Sequence, residues 1–319
     1  MGTFAGHALP GSLFSCYALW AIYHILRKFY RRRAYEMQIS EQLEQEYESR
    51  VSHPLHFHKC GCCTREQQFP LDSLLKVGCC LIGIVGEFIT GFDENWVFIY
   101  IGNAQHITMY STFGLGGLIE LCIFYKFLDL PLQTEHILSM TALLNEFLLF
   151  LLHLHGRTQL DVYIHMLLAG MIVLSLVAEL FELISPKKVA LPLIRWWGFL
   201  VQGTWFWQVG AILYPVASWM PTWDEQARQD RVRAANLFAY HLLIDFVVIL
   251  IFAIPMSLKL GRINSWKASF EIETRTRTRT LQLSEPDEED SAVFENQRHF
   301  DPVTTGIPLG PVLSSQISS

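Results

Sequence analysis

The chain has 319 residues, of which 51% are hydrophobic and only 17% charged, with a formal net charge of −6. A soluble domain carries about 25% charged residues; here the deficit is also uneven, because residues 27–76 and 259–319 hold most of the charge. That distribution excludes an ordinary soluble globule, a disulfide-dense secreted module and a wholly disordered chain, and points to a multi-span membrane protein with polar ends.

A helix needs about 20 mainly apolar residues to cross the hydrocarbon core. Seven segments qualify in chain order: 5–26, 72–92, 98–125, 135–155, 160–184, 193–215 and 235–258. The first has no basic stretch before it and a positive cluster after it, so it reads as a retained span rather than a cleavable signal. The predicted fold is therefore all-α, a seven-transmembrane-helix bundle over residues 1–258 with a loop at 27–71. Residues 36–50, rich in Glu and Gln, read as an exposed helix, and residues 259–319 as a polar tail, disordered from about residue 267.

Basic residues set the orientation. Arg27, Lys28, Arg31, Arg32 and Arg33 follow the first segment, Lys187 and Lys188 the fifth, and Lys259, Arg262 and Lys267 the seventh. The positive-inside rule places these in the cytosol. The N-terminus is then lumenal or extracellular and the C-terminus cytosolic, in a membrane of the secretory pathway or at the plasma membrane. The partners implied are the lipid bilayer and a lipid or small-molecule ligand. No basic stripe interleaved with aromatics is present, so nucleic acid is not an expected partner.

The seven cysteines are odd in number, and Cys16, Cys60, Cys62, Cys63, Cys79 and Cys80 fall on the expected cytosolic side or in lipid, which disfavours a disulfide framework. In the loop, Cys60, Cys62 and Cys63 lie beside basic residues and a membrane, which makes them lipidation candidates.

Ionisable groups within the spans need a partner or a water-filled cavity. Asp161 and His165 are spaced i, i+4, as are His241 and Asp245, while Glu146 and His153 are i, i+7, so each pair shares a helix face. Such faces turn inward in a bundle, and facing carboxylates and imidazoles are how bundle cores hold metals. One reading is a single divalent metal, zinc by ligand type, held by His106, Glu146, His165 and His241. His7, Glu87, His153, His155, Asp161, Gln202, Trp205, Gln208 and Asp245 would line the cavity or orient the ligands. A hydrogen-bonded network that fixes helix register is the other reading of the same residues. If the metal activates a water, Glu146 or Asp161 is the candidate catalytic base of a hydrolase acting on a lipid or amide. An ion- or proton-coupled carrier is a further alternative; it would show a second polar opening near Glu120, Glu179 and Glu182.

Several strings carry a resemblance: GHALPGS at 6–12, NAQHITMY at 103–110, LLHLHGR at 151–157, DVYIH at 161–165 and QGTWFWQVG at 202–210. Together, and in this order, they resemble the transmembrane protein 45 family, which includes the transmembrane epididymal proteins. The resemblance covers about residues 1–258 and implies a seven-span protein without an established reaction. It implies that His7, Glu87, His106, Glu146, His153, His155, Asp161, His165, Gln202, Gln208 and His241 follow the family's polar pattern. The long loop with its His/Cys cluster and Asp245 depart from that pattern.

Overall fold

The computed structural model describes residues 3–36, 47–57, 67–131, 133–152, 154 and 156–284. The chain divides into two units, Met1–Asn264 and Ser265–Ser319. Among the described residues there are seven helices: α1 (Phe4–Glu36), α2 (Leu71–Thr90), α3 (Ile101–Phe124), α4 (Gln133–Leu152), α5 (Gln159–Ile184), α6 (Ala190–Leu213) and α7 (Arg228–Ser284). A short antiparallel ribbon, β1 (Leu55–Phe57) with β2 (Gln67–Phe69), lies between α1 and α2. Each of the seven apolar segments predicted from sequence coincides with a helix.

Two ends differ from expectation. α1 does not stop at residue 26 but continues through the basic cluster to Glu36; at about 1.5 Å per residue its 33 residues span about 50 Å, longer than a bilayer core. α7 remains helical past residue 267, to Ser284. Of the segment expected as an exposed helix, residues 47–50 are not helical. They are tied down instead: Ser49 N–H donates to Pro186 O at 2.8 Å, and Ser49 Oγ donates to Glu182.

Among the described residues, six helices are long and apolar enough to cross a membrane: α1, α2, α3, α4, α5 and the stretch Arg228–Arg262 of α7. α6 stands apart. Its 24 residues include Arg195, Gln202, Gln208 and four tryptophans, which lower its hydropathy although its side chains are the most thoroughly enclosed of the bundle. It packs between α1 and α5, while α5, α4, α3 and α2 follow one another as neighbours.

The α1–α6 contact depends on two glycines. A Cβ on Gly11 would lie 2.8 Å from Gly203 O, and one on Gly203 would lie 2.6 Å from Ser15 N and 2.9 Å from Gly11 O. These neighbours are backbone atoms that cannot rotate away, so the helices meet where both lack side chains, as membrane helices commonly do. Around the crossing, Ala18, Ala21, Ile22, Leu143, Ile172, Trp196 and Leu200 form one buried cluster, and Leu160, Ile164, Leu168, Trp205 and Val209 a second.

The crossing predicts a contrast between glycines. Gly203→Ala should destabilise the detergent-solubilised chain by about 1–3 kcal/mol, the usual cost of overpacking. Gly170→Ala, with open space at its Cβ, should be neutral or mildly stabilising. Thermal unfolding of the two variants checks this.

Candidate functional site

The first polar cluster forms where α5 begins. Thr158 caps the helix, its side chain accepting from Asp161 N–H, and an acidic residue in the first turn suits the positive end of the helix dipole. Arg157 donates to both Asp161 carboxylate oxygens at 2.9 and 3.1 Å. One turn on, buried His165 holds its Nδ1 2.8 Å from Asp161 O and 2.8 Å from Asp161 Oδ1. From α1, His7 brings its ring to 6.0 Å from that of His165 and 5.5 Å from Tyr214. The His7 Nδ1 is engaged by Thr3 O at 2.9 Å. Both imidazoles therefore make these bonds through Nδ1.

The other predicted site residues belong to different neighbourhoods. His241 Nδ1 lies 3.0 Å from Thr204 Oγ1, which donates to Asp245 Oδ2 at 2.6 Å, so α7 is tied to α6 through one threonine. His106 Nδ1 lies 3.0 Å from Glu87 Oε1, joining α3 to α2. Glu146 is buried in α4, and its Oε2 has no hydrogen-bond partner among the described residues. Gln202 donates to Ser175 Oγ at 3.2 Å. Trp205 is fully buried, donates from Nε1 to Ile164 O at 2.9 Å and packs on the His241 ring. Gln208 is half-buried.

The four residues expected to share a metal, His106, Glu146, His165 and His241, are thus not gathered. Among the described residues, no three His, Cys, Asp or Glu side chains are placed to hold an ion. Helix pairing separates them: each imidazole meets a group of its own or the adjacent helix before it can reach the others. His153, His155, Cys60, Cys62 and Cys63 lie outside the described residues.

The densest charged network among the described residues lies at the opposite end of the bundle, and sequence reasoning found only its carboxylates. Arg195, fully buried in α6, donates to Glu182 through Nε at 2.7 Å and Nη2 at 3.0 Å. Its Nη1 lies 3.8 Å from Glu179 Oε1. Glu179 also accepts from Ser139 at 2.8 Å and faces His136 Nδ1 at 3.3 Å, which brings in α4. A parallel pair joins α2 and α3: Glu120 accepts from Lys76 at 2.5 Å and from Ser73 at 2.9 Å. Where a carrier would show a second polar opening, Glu120, Glu179 and Glu182 are instead buried and paired. The signal for their partners was visible, since Arg195 and Lys76 are each the sole cation in an apolar helix.

The strap 47–54 closes over this network. Trp20 Nε1 donates to His53 O at 3.2 Å, His53 N–H donates to Asp72 Oδ2, and Ser52 Oγ donates to Glu135 at 3.4 Å. Burial, reinforced by the nearby positive charge of Arg195, holds His53 well below the usual imidazole range. It is therefore neutral in the folded chain at neutral pH.

Two expectations follow. Arg195→Met leaves Glu182 and Glu179 buried without their cation and should cost about 3–5 kcal/mol; adding Glu182→Gln should recover part of the loss, as read by thermal unfolding. The unfolded chain binds a proton on residue 53 below pH of about 6.5 while the folded chain does not, so the His53 contribution is present above that pH and lost as pH falls. The melting temperature of the native chain should drop more steeply than that of His53→Gln between pH 7 and pH 5.

Among the comparisons with known proteins, a family model described as "Family of unknown function (DUF716)" matches residues 132–255, from α4 into α7, in the second half of the bundle. Transmembrane epididymal protein 1 of Rattus norvegicus is 26% identical over 156 residues, 48% of this chain and 50% of the relative. Its Homo sapiens counterpart is 27% identical over 151 residues, 46% and 54% respectively. Transmembrane epididymal protein 1A of Mus musculus is 24% identical over 153 residues, 48% and 50%. The matched stretch spans about half the length of these relatives. With six helices apolar enough to span, the chain is similar to transmembrane proteins and is itself a multi-pass protein of the bilayer.

Proposed function

We propose that this chain is a seven-span membrane protein of the transmembrane protein 45 and DUF716 kind, with its N-terminus outside. It works by binding at its outward polar cluster rather than by metal-dependent hydrolysis. The seventh crossing is α6. At about 1.5 Å per residue its 24 residues reach about 36 Å, enough for the core. Its Arg195, Gln202, Thr204 and Trp205 are met by groups on α5 and α7, so its low hydropathy costs little in lipid. With α6 counted, the basic residues after α1, α5 and the span of α7 all fall on one side, the cytosolic side by the positive-inside rule.

One observation carries the binding reading: the Arg157–Asp161–His165 chain, set against His7. The carboxylate fixes the orientation of His165, and the neighbouring His7 and Tyr214 add two further polar edges at the same end of the bundle. This arrangement suits a small polar ligand arriving from outside. Pairing of the other candidates, Glu87 with His106 and His241 and Asp245 with Thr204, supports a role in helix register.

The test is elemental analysis by mass spectrometry of the chain purified in detergent, beside His165→Ala. The binding reading expects no metal near one per chain and no difference between the two. One zinc per chain, lost in His165→Ala, would overturn it in favour of the metal-dependent hydrolase.

A further inference from the structure

Arg231, in the first turn of α7, is a half-buried cation that stands outside the ion pairs of the described residues. Its Nη1 donates to two neutral oxygens, Gln159 Oε1 at 2.7 Å and Gln226 O at 3.2 Å. Nε and Nη2 carry the rest of a fork that fits an oxyanion. The neighbouring cations differ. Arg157 is matched by Asp161, and Arg233 lies over the Trp223 ring and 4.0 Å from Asp230.

Arg231 and Arg157 flank an open groove of about 350 Å³, whose other walls are Gln159, Val162, Tyr163 and Met166. These four recur at i, i+3, i+4 and i+7, one stripe of α5, and the stripe is not the face that carries Asp161 and His165. No carboxylate lines the groove. Asp161 is engaged by Arg157, Asp224 accepts from Gln226 N–H, Asp230 accepts from Asp224 N–H, and Glu225 is exposed. The groove therefore keeps the charge of Arg231.

Below it the stripe turns apolar. Met166, Val173 and Val177 are 46%, 37% and 43% exposed, and Gly170 among them has open space where a side chain would stand. The 26 residues of α5 reach about 39 Å, against about 30 Å of hydrocarbon. Its first turn then lies at the headgroup boundary and the apolar stripe beside the acyl chains.

We propose that this groove binds a membrane lipid with a net anionic phosphate headgroup. The phosphate sits on the Arg231 fork, and one acyl chain runs along Met166, Gly170 and Val173. A soluble anion would leave that stripe unused. A zwitterionic headgroup brings an ammonium for which the lining offers no carboxylate. Because the groove is on a separate face of α5 from His165, it does not depend on what the polar cluster binds.

The test offers the full chain in detergent equal amounts of phosphatidylglycerol and phosphatidylcholine with the same acyl chains, and reads bound lipid by native mass spectrometry. About fivefold preferential retention of phosphatidylglycerol is expected, the worth of one arginine at the membrane surface. Arg231→Gln should bring the two lipids to parity. Arg228→Gln, which removes a charge from the same turn but outside the groove, should keep the preference. Val162→Glu sets a carboxylate beside both guanidiniums and should also abolish it, and serves if Arg231→Gln does not fold. Equal retention by the native chain would overturn the proposal. So would a preference that survives Arg231→Gln and Val162→Glu, or one that falls as far in Arg228→Gln, the mark of general attraction to a basic surface. Thermal stabilisation by inorganic phosphate or palmitate equal to that by phosphatidylglycerol would overturn the lipid as the occupant.

Discussion

The Arg195–Glu182 pair is the constraint on which the bundle turns. A guanidinium with no exposed surface cannot be left alone in a low-dielectric interior, because stripping its water costs several kcal/mol. Glu182 meets it with two hydrogen bonds, Glu179 approaches from one turn away, and Ser49 reaches Glu182 from the strap. Through these contacts α6 is pinned to α5, α5 to α4 by His136 and Ser139, and the segment after α1 is drawn over the end of the bundle. A buried charged group thus specifies which faces meet, where apolar packing alone would leave the helices free to rotate.

From that pin the rest of α6 follows. Small residues along it let its neighbours close in: Gly203 admits α1 and Gly198 admits Ser175 of α5. The same helix then sets the far cluster. Trp205 N–H fixes the carbonyl of Ile164 one residue before His165, and Thr204 holds both His241 and Asp245 of α7. The His7–Asp161–His165 group is therefore positioned by a helix that contributes none of its three members.

Much of this was legible in the sequence, and the part that was not has a physical reason. Lipid demands about 20 apolar residues per crossing, so the helical segments announce themselves. Helix periodicity correctly placed Asp161 beside His165, because an i, i+4 pair meets whatever its surroundings. The same rule put His241 and Asp245 on one face, but their shared partner is Thr204 on another helix, which no intrahelical spacing reveals. The proposed metal ligands failed to gather for the same reason: neighbour choice is decided by a glycine-to-glycine approach and by buried charges. Arg195 and Lys76 counted only as blemishes in apolar windows, although each one demanded a carboxylate across the bundle.

α6 is also where the architecture is most directly exposed to measurement. Seven crossings put the two termini on opposite sides of the membrane, and six put them on the same side. Epitope tags at the two ends, probed with antibody before and after selective permeabilisation, read this without disturbing the bundle. The expected result is an N-terminal tag reached from the outer or lumenal side and a C-terminal tag reached only from the cytosol. Both tags reached from one side would contradict α6 as a membrane span and, with it, the placement of Arg195 at the core of the fold.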